Sequence, residues 1–328
     1  MKNFFFLVVL GAFFHLSAFA VDFTQIEKDL TGDGLVGWIH GAVEEQGLYV
    51  FTYRNPDDFF DYVQMSLVPD NDAVAKALTA FSRNDQVKIK GVFLKNPSPQ
   101  KHIDVTAITL VKKYDSGYPS DPYGHTAKIP DELLNIHYAN FLVHAVASDG
   151  NILVVEYKDS ILPIFVKNGE LTKNLFRGDI VRLNFKVQSY PDQPAHLRLN
   201  ESEPDALQVI QSLSSINGKP GTIEGSLILF PKSPEIMFNV FAVEEKLSDG
   251  LSRQYTIVNF ENNDLFTQAR EKLQAAWDRH PGDYVNGRNK LVSTKIHVKV
   301  SGIFNDVSPS QANPQILFKS LDDIQIIE

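Results

Sequence analysis

Histidines and carboxylates are the residues that could assemble a metal site or an acid–base pair. Of the nine histidines, eight lie beyond residue 20, at His40, His102, His125, His137, His144, His196, His280 and His297. No two are four apart, the spacing that sets both imidazoles on one helix face for a metal ion. His137 and His144 are seven apart, which on a strand points them to opposite faces. Carboxylates cluster at Glu44-Glu45, at Asp57-Asp58 with Asp61, and at Glu244-Glu245. None has the ligand spacing of an EF-hand, and hairpin turns readily keep such charges in water. The chain also lacks G-x-x-x-x-G-K-[ST], G-x-S-x-G and H-E-x-x-H. The expectation is therefore a non-enzymatic protein with no catalytic residue, no metal and no cofactor.

A different constellation has the residue types for holding a ligand. Tyr49, Phe51 and Tyr53 alternate along the period-two run from Leu48 to Tyr53, and Arg54 follows. Phe60 and Tyr62 share a face at the start of the next run. If Leu48 and Val50 turn inward with Val63, Met65 and Leu67, the aromatics line an outer face. Flat rings on such a face stack on sugars or bases. The opposite parity places them in the core, where aromatic strand residues more often sit. These six residues, Arg54 included, are the candidate ligand face.

The elements that position them recur along the chain. Gly37-Trp38-Ile39-His40-Gly41-Ala42-Val43 and Gly221-Thr222-Ile223-Glu224-Gly225-Ser226-Leu227 share a G-x-I-x-G-x-aliphatic pattern, and Leu142 to Val146 matches it without the second glycine. Val87 to Phe93 and Val298 to Phe304 agree likewise, with Val181 to Val187 between them. Each is followed by a proline-bearing loop and a last alternating strand: Ile103 to Val111, Ala195 to Leu199, and Ile316 to Ile327. Period-two runs at Leu48–Tyr53 and Tyr62–Val68, Ile152–Tyr157 and Leu162–Val166, Met237–Val243 and Gln254–Phe260 supply second and third strands. Between third and fourth strands the period turns helical. Val74, Ala77, Leu78 and Phe81 form one stripe, with Asp72 placed to cap it. Phe266, Ala269, Leu273 and Trp277 form another, ended by Pro281-Gly282. The middle repeat has only Leu171 to Phe176 there, about one turn.

Three strands, a helix and two strands is the order of the OB-fold, a five-stranded Greek-key barrel. The chain resembles tandem OB-fold proteins, and the resemblance implies a mainly β protein of three barrels; β-sandwich domains are the alternative. The expected boundaries are residues 1–20 as a leader, 21–113, 131–212 and 221–328 as barrels, and 114–130 and 213–220 as Ser/Gly/Pro-bearing linkers.

Lys2, the apolar run Phe4 to Phe14, and Ala18-Phe19-Ala20 have the pattern of a secretory signal peptide cut after Ala20, with a retained anchor as the alternative. The chain has no Cys, so its barrels must be held by apolar cores, and the expected location is periplasmic or secreted. With 31 basic against 40 acidic residues the net charge is −9. That balance gives little counterion release on phosphates, so nucleic acid is not the expected partner. The resemblance implies an oligosaccharide, a peptide of the cell envelope or a protein partner. A single-stranded nucleic-acid binder and an envelope scaffold are the alternatives.

Overall fold

The computed structural model describes residues 22–43, 48–56, 61–95, 101–118, 129–147, 150–158, 160–190, 193–234, 236–285, 290–305 and 312–327. The expected leader lies outside them, as does Phe60. Among the described residues, no helix is long and apolar enough to cross a membrane.

The first barrel is built from β1 (Leu35–Val43), β2 (Leu48–Arg54), β3 (Tyr62–Pro69), β4 (Gln86–Phe93) and β5 (His102–Lys112). β1, β2 and β3 pair antiparallel in sequence order, β3 runs parallel to β5, and β4 joins β5 to β1. The same circuit returns in β6 (Tyr138–Val146), β7 (Ile152–Tyr157), β8 (Ser160–Phe165), β9 (Ile180–Tyr190) and β10 (Gln193–Leu199), with β8 parallel to β10 and β9 paired to β6. It returns again among β12 (Pro220–Phe230), β13 (Val240–Lys246), β14 (Ser252–Val258), β16 (Lys290–Asn305) and the short β17 (Gln315–Leu317), with β15 (Asp283–Val285) added along the start of β16. This order, with its single parallel contact, is the OB arrangement. The third circuit closes least fully, because β17 is only three residues long.

Each circuit encloses its own apolar core, centred on Phe51, Met65 and Ile89, on Phe141, Leu183 and Phe185, and on Leu227, Tyr255 and Trp277. Helix α2 (Asp72–Leu78) buries Val74 and Leu78, and α3 (Asn263–Arg279) buries the stripe Phe266, Ala269, Leu273 and Trp277, as their periods predict. The cap of α2 is Asn71 rather than Asp72: its side chain accepts the N–H groups of Ala73 and Val74, while Asp72 begins the helix. Helix α1 (Phe23–Thr31) was not expected. The Asp22 side chain caps it and Ile26 and Leu30, one turn apart, are buried against the first barrel. Each such side chain adds roughly 1.5–3 kcal/mol.

The last strand of the third repeat also differs from the single run expected. It breaks into β17 and β18 (Ile324–Ile327), which lie against Ile303–Asn305 and His297–Val300 of β16. At the break the Asp323 carboxylate accepts the N–H groups of Lys319 and Ser320. The second repeat shows the same break, with β10 and β11 (Leu207–Gln211) both paired to β9. In the first repeat the break shrinks to a register shift at Lys90/Gly91. Gly91 and Gly302 stand where the fifth strand crosses closest. A Cβ at Gly91 would lie 2.1 Å from the Asp104 carbonyl oxygen, and one at Gly302 would lie 2.4 Å from that of Leu317.

The second and third barrels are docked through buried contacts. Leu142 and Ile180 meet Leu247 and Leu251 in a small apolar cluster. Arg253, 2% exposed, donates from Nε to the Gly178 carbonyl at 2.9 Å and from Nη2 to Gln211 Oε1 at 3.1 Å. Leu213, in the segment expected as a linker, is buried in the third core, and its N–H donates to Asp179 Oδ1 at 2.8 Å. Tyr118, in the other expected linker, packs on the third barrel, where its hydroxyl accepts from Asn239 Nδ2 and Gln274 Nε2.

Candidate functional site

The aromatic face predicted on the first barrel is not assembled. Across β2 and β3, Tyr49 lies opposite Leu67, Phe51 opposite Met65, and Tyr53 opposite Val63, and directly opposed residues share a face. Met65 and Leu67 are fully buried, so the aromatics turn inward with them: Tyr49 and Phe51 are core residues and Tyr53 is half-buried against the core. The parity is the reverse of the one that would expose them. Burying these large rings removes far more apolar surface from water than burying a smaller aliphatic chain such as Val50 in their place. Arg54 and Tyr62 do come together, the guanidinium 5.2 Å from the ring centroid, with Tyr62 exposed. A single cation–ring pair is not a groove.

The third barrel holds a better-formed site. A cavity of about 340 Å³ lies between α3, the strands β13 and β14, and the segment from Ala312 to Phe318. Its lining is chiefly apolar, with Phe230, Ile236, Phe241, Ile257, Phe266 and Leu273 among the walls. Helix α3 forms one side, positioned by its cap: the Asn262 side chain accepts the N–H of Leu265 at 3.0 Å. Asn259 binds the N–H groups of Glu261 and Asn262 through Oδ1 and the Phe318 carbonyl through Nδ2, tying the start of α3 to the far wall. Lys272 fixes the middle of the helix by donating to the Leu321 and Ile324 carbonyls.

Among the described residues one cation lines this apolar space. The Arg270 guanidinium lies 4.0 Å from the centroid of Phe238 and 5.8 Å from that of Phe266. Its Nε is buried and makes no hydrogen bond. Burial draws the guanidinium below its ordinary pKa, opposed by the carboxylate of the adjacent Glu271. Arg270 falls four residues after Phe266, inside the apolar stripe. The stripe of α2 carries Leu78 at the same offset from Val74, and Leu78 is fully buried. A cation in place of an aliphatic chain was the sequence signal for this site, and reading only the apolar members of the stripe passes over it.

Other charged groups serve structure or lie in the open. Lys290 of β16 and Glu244 of β13, 2% and 6% exposed, pair at 2.8 Å. Burial pushes the Glu244 carboxyl up, but Lys290, helped by Lys246, more than offsets it and leaves the group below its ordinary value. Burial raises the neighbouring Glu245 despite Arg253. On the second barrel Lys167, Lys186 and Arg198 border an open cleft of about 980 Å³ beside Phe165, whose ring meets that of His196 edge-on at 5.3 Å. Glu201 shares the cleft, accepting the N–H groups of Lys167 and Asn168. Among the described residues no three His, Asp or Glu side chains group as metal ligands.

No family model and no curated protein matches this chain. Among solved structures it is similar to a murine DNA-binding protein bound with double-stranded DNA, at 16% identity over 55% of this chain and 100% of that one, with a TM-score of 0.20. It is also similar to the CSD456 segment of Drosophila Unr, at 10% identity over 90% and 97% of the two chains and a TM-score of 0.16. A multidomain protein with nucleic-acid-binding domains from Streptococcus pneumoniae shares 11% identity over 87% and 72%, with a TM-score of 0.15. Likeness this slight says nothing of what the chain binds; the OB assignment rests on the strand pairings themselves.

Proposed function

We propose that this chain is an exported, non-catalytic binding protein whose ligand site is the third-barrel cavity. The observation that carries this reading is the cavity itself: a chiefly apolar space of about 340 Å³ between α3, two strands of the third barrel and the segment from Ala312 to Phe318. Small-molecule sites run from about 300 Å³ upward, are mostly apolar, and carry few polar groups. Of the ligand classes that the sequence points to, an oligosaccharide suits these walls poorly, because its hydroxyls would lose water without replacement. A small apolar molecule suits them well. The leader pattern ending in Ala18-Phe19-Ala20 supports delivery outside the cytoplasm, and the absence of catalytic motifs supports binding without turnover.

Thermal stabilisation of residues 21–328 by octanol tests the reading, since a ligand of the folded state raises the melting temperature by mass action. Ala269, 1% exposed, lines the cavity from α3. Ala269→Leu should fill the space and abolish the stabilisation. Equal stabilisation of both proteins would place the ligand elsewhere.

The basic cleft of the second barrel favours a second reading, a site for a polyanion such as single-stranded nucleic acid, with Lys167, Lys186 and Arg198 beside Phe165. The net charge of −9 and Glu201 inside the cleft both weaken it. Tight single-stranded DNA binding that falls steeply with salt, and falls further on Arg198→Ala, would establish it over the cavity.

A further inference from the structure

We propose that the third-barrel cavity takes a small apolar carboxylate, with the Arg270 guanidinium as the partner of its negative charge; this rests on the cavity being the ligand site. Arg270 lies within the cavity lining, and its Nε is buried without a hydrogen bond. A water molecule does not reach Nε, so a ligand would meet the guanidinium through its Nη groups. Two other polar side chains of the lining are already engaged with protein. Asn239 binds Tyr118 and Gln274 through Nδ2 and accepts the Lys232 N–H through Oδ1, and Gln315 accepts from Asn305. The guanidinium is the charged group of the described lining, which suits it to orient a ligand.

The geometry also selects among anions. Phe238 and Phe266 take up the guanidinium by cation–ring contact, which holds the fork in a fixed place. A planar fork of N–H donors matches the two oxygens of a carboxylate. Among the described residues one cationic side chain lines the cavity, so one negative charge is matched. A phosphate dianion would bring a second charge against apolar walls without compensation. The chemistry that fits is a monoanionic head on an apolar body small enough for about 340 Å³.

The test compares octanoate, octanol and octylammonium on residues 21–328 by isothermal titration calorimetry. These probes share one tail and differ in head charge. Octanoate should bind roughly tenfold or more tighter than octanol, a margin of the size of one charge-assisted hydrogen bond, and octylammonium should bind weakest. In Arg270→Met the preference for octanoate should vanish while octanol affinity holds; Arg270→Lys should keep part of it. The ligand series on the unaltered chain stands even if a variant fails to fold. Equal affinity for octanoate and octanol would overturn the carboxylate assignment and leave the cavity as the site. Failure of all three probes to bind would instead overturn the cavity reading on which the assignment rests.

Discussion

The Asp85 carboxylate accepts the N–H of Tyr114 at 3.0 Å, and the Asp179 carboxylate accepts that of Leu213 at 2.8 Å, so equivalent residues of two barrels hold the chain where it leaves each barrel. The agreement is detailed. Each carboxylate also accepts an N–H three residues back, from Ser82 at 2.7 Å and from Phe176 at 2.9 Å. The residue before each aspartate has positive φ, +68° at Asn84 and +94° at Gly178. Arg83-Asn84-Asp85 and Arg177-Gly178-Asp179 are thus one motif. At the matching place, two residues before Val298, the third barrel has Ile296, whose N–H is accepted by Ser293 Oγ instead.

Both aspartates are buried, so removing either carboxylate strands two backbone donors. Asp85→Ala and Asp179→Ala should each lower stability by about 2–3 kcal/mol in urea unfolding. Changes below about 0.5 kcal/mol in both would mean that water replaces the carboxylates and that the motif is incidental.

Arg253 joins the second barrel to the third, and its loss should separate their unfolding. In the parent chain a broad protease should cut first within 114–130 and leave a long-lived fragment holding both later barrels. Arg253→Ala leaves the Gly178 carbonyl and Gln211 without this donor and should allow a second early cut near residues 200–220. An identical digestion pattern for parent and variant would show that the apolar cluster of Leu142, Ile180, Leu247 and Leu251 suffices for docking.

Gly91→Val and Gly302→Val probe the crossing of the fifth strand. With carbonyl oxygens 2.1 and 2.4 Å from the would-be Cβ positions, backbone must move in either variant. A loss of at least about 1–3 kcal/mol each is expected in thermal or chemical melts. Parent-like melts for both would remove the close crossing from the account.

The buried pair of Glu244 and Lys290 has a pH signature. The folded-state value of Glu244 lies below its ordinary 4.5, so its contribution is complete above that value and is lost as pH falls through the depressed one. Glu245 is raised and works in the opposite sense, stabilising below 4.5 and losing that contribution as pH rises through its folded value. Comparing Glu244→Gln with the parent cancels Glu245. The melting temperatures should differ most near about pH 7 and converge toward about pH 3. A constant gap would mean that Glu244 carries no charge in the fold.

The barrels were legible in the sequence because period-two runs and two helical stripes recur in the same order, and pairing then follows from topology. Helix α1 was missed because its stripe is short, only Phe23, Ile26 and Leu30, and directly follows the apolar stretch expected as a leader. The break between β17 and β18 was missed because Ile316 to Ile327 keeps its apolar residues through the turn, where Asp323 satisfies the backbone. The aromatic face was misplaced for a related reason. Alternation along β2 establishes two faces but not which is inner, and the register against Met65 and Leu67 decides that. The cavity was invisible because it is a deficit of packing, and composition records only what is present. Its one sequence mark is Arg270 at a position where α2 carries Leu78.

The most direct measurement follows Trp277, 1% exposed in the core of the third barrel and on the same helix as Arg270. Trp38 is the other of the two tryptophans, so Trp38→Phe leaves Trp277 as the lone indole reporter. Titration of that protein with octanol should change Trp277 emission saturably, and adding Ala269→Leu should abolish the change. An emission that stays flat, or one that responds equally with Ala269→Leu present, would contradict the assignment of the third-barrel cavity as the ligand site.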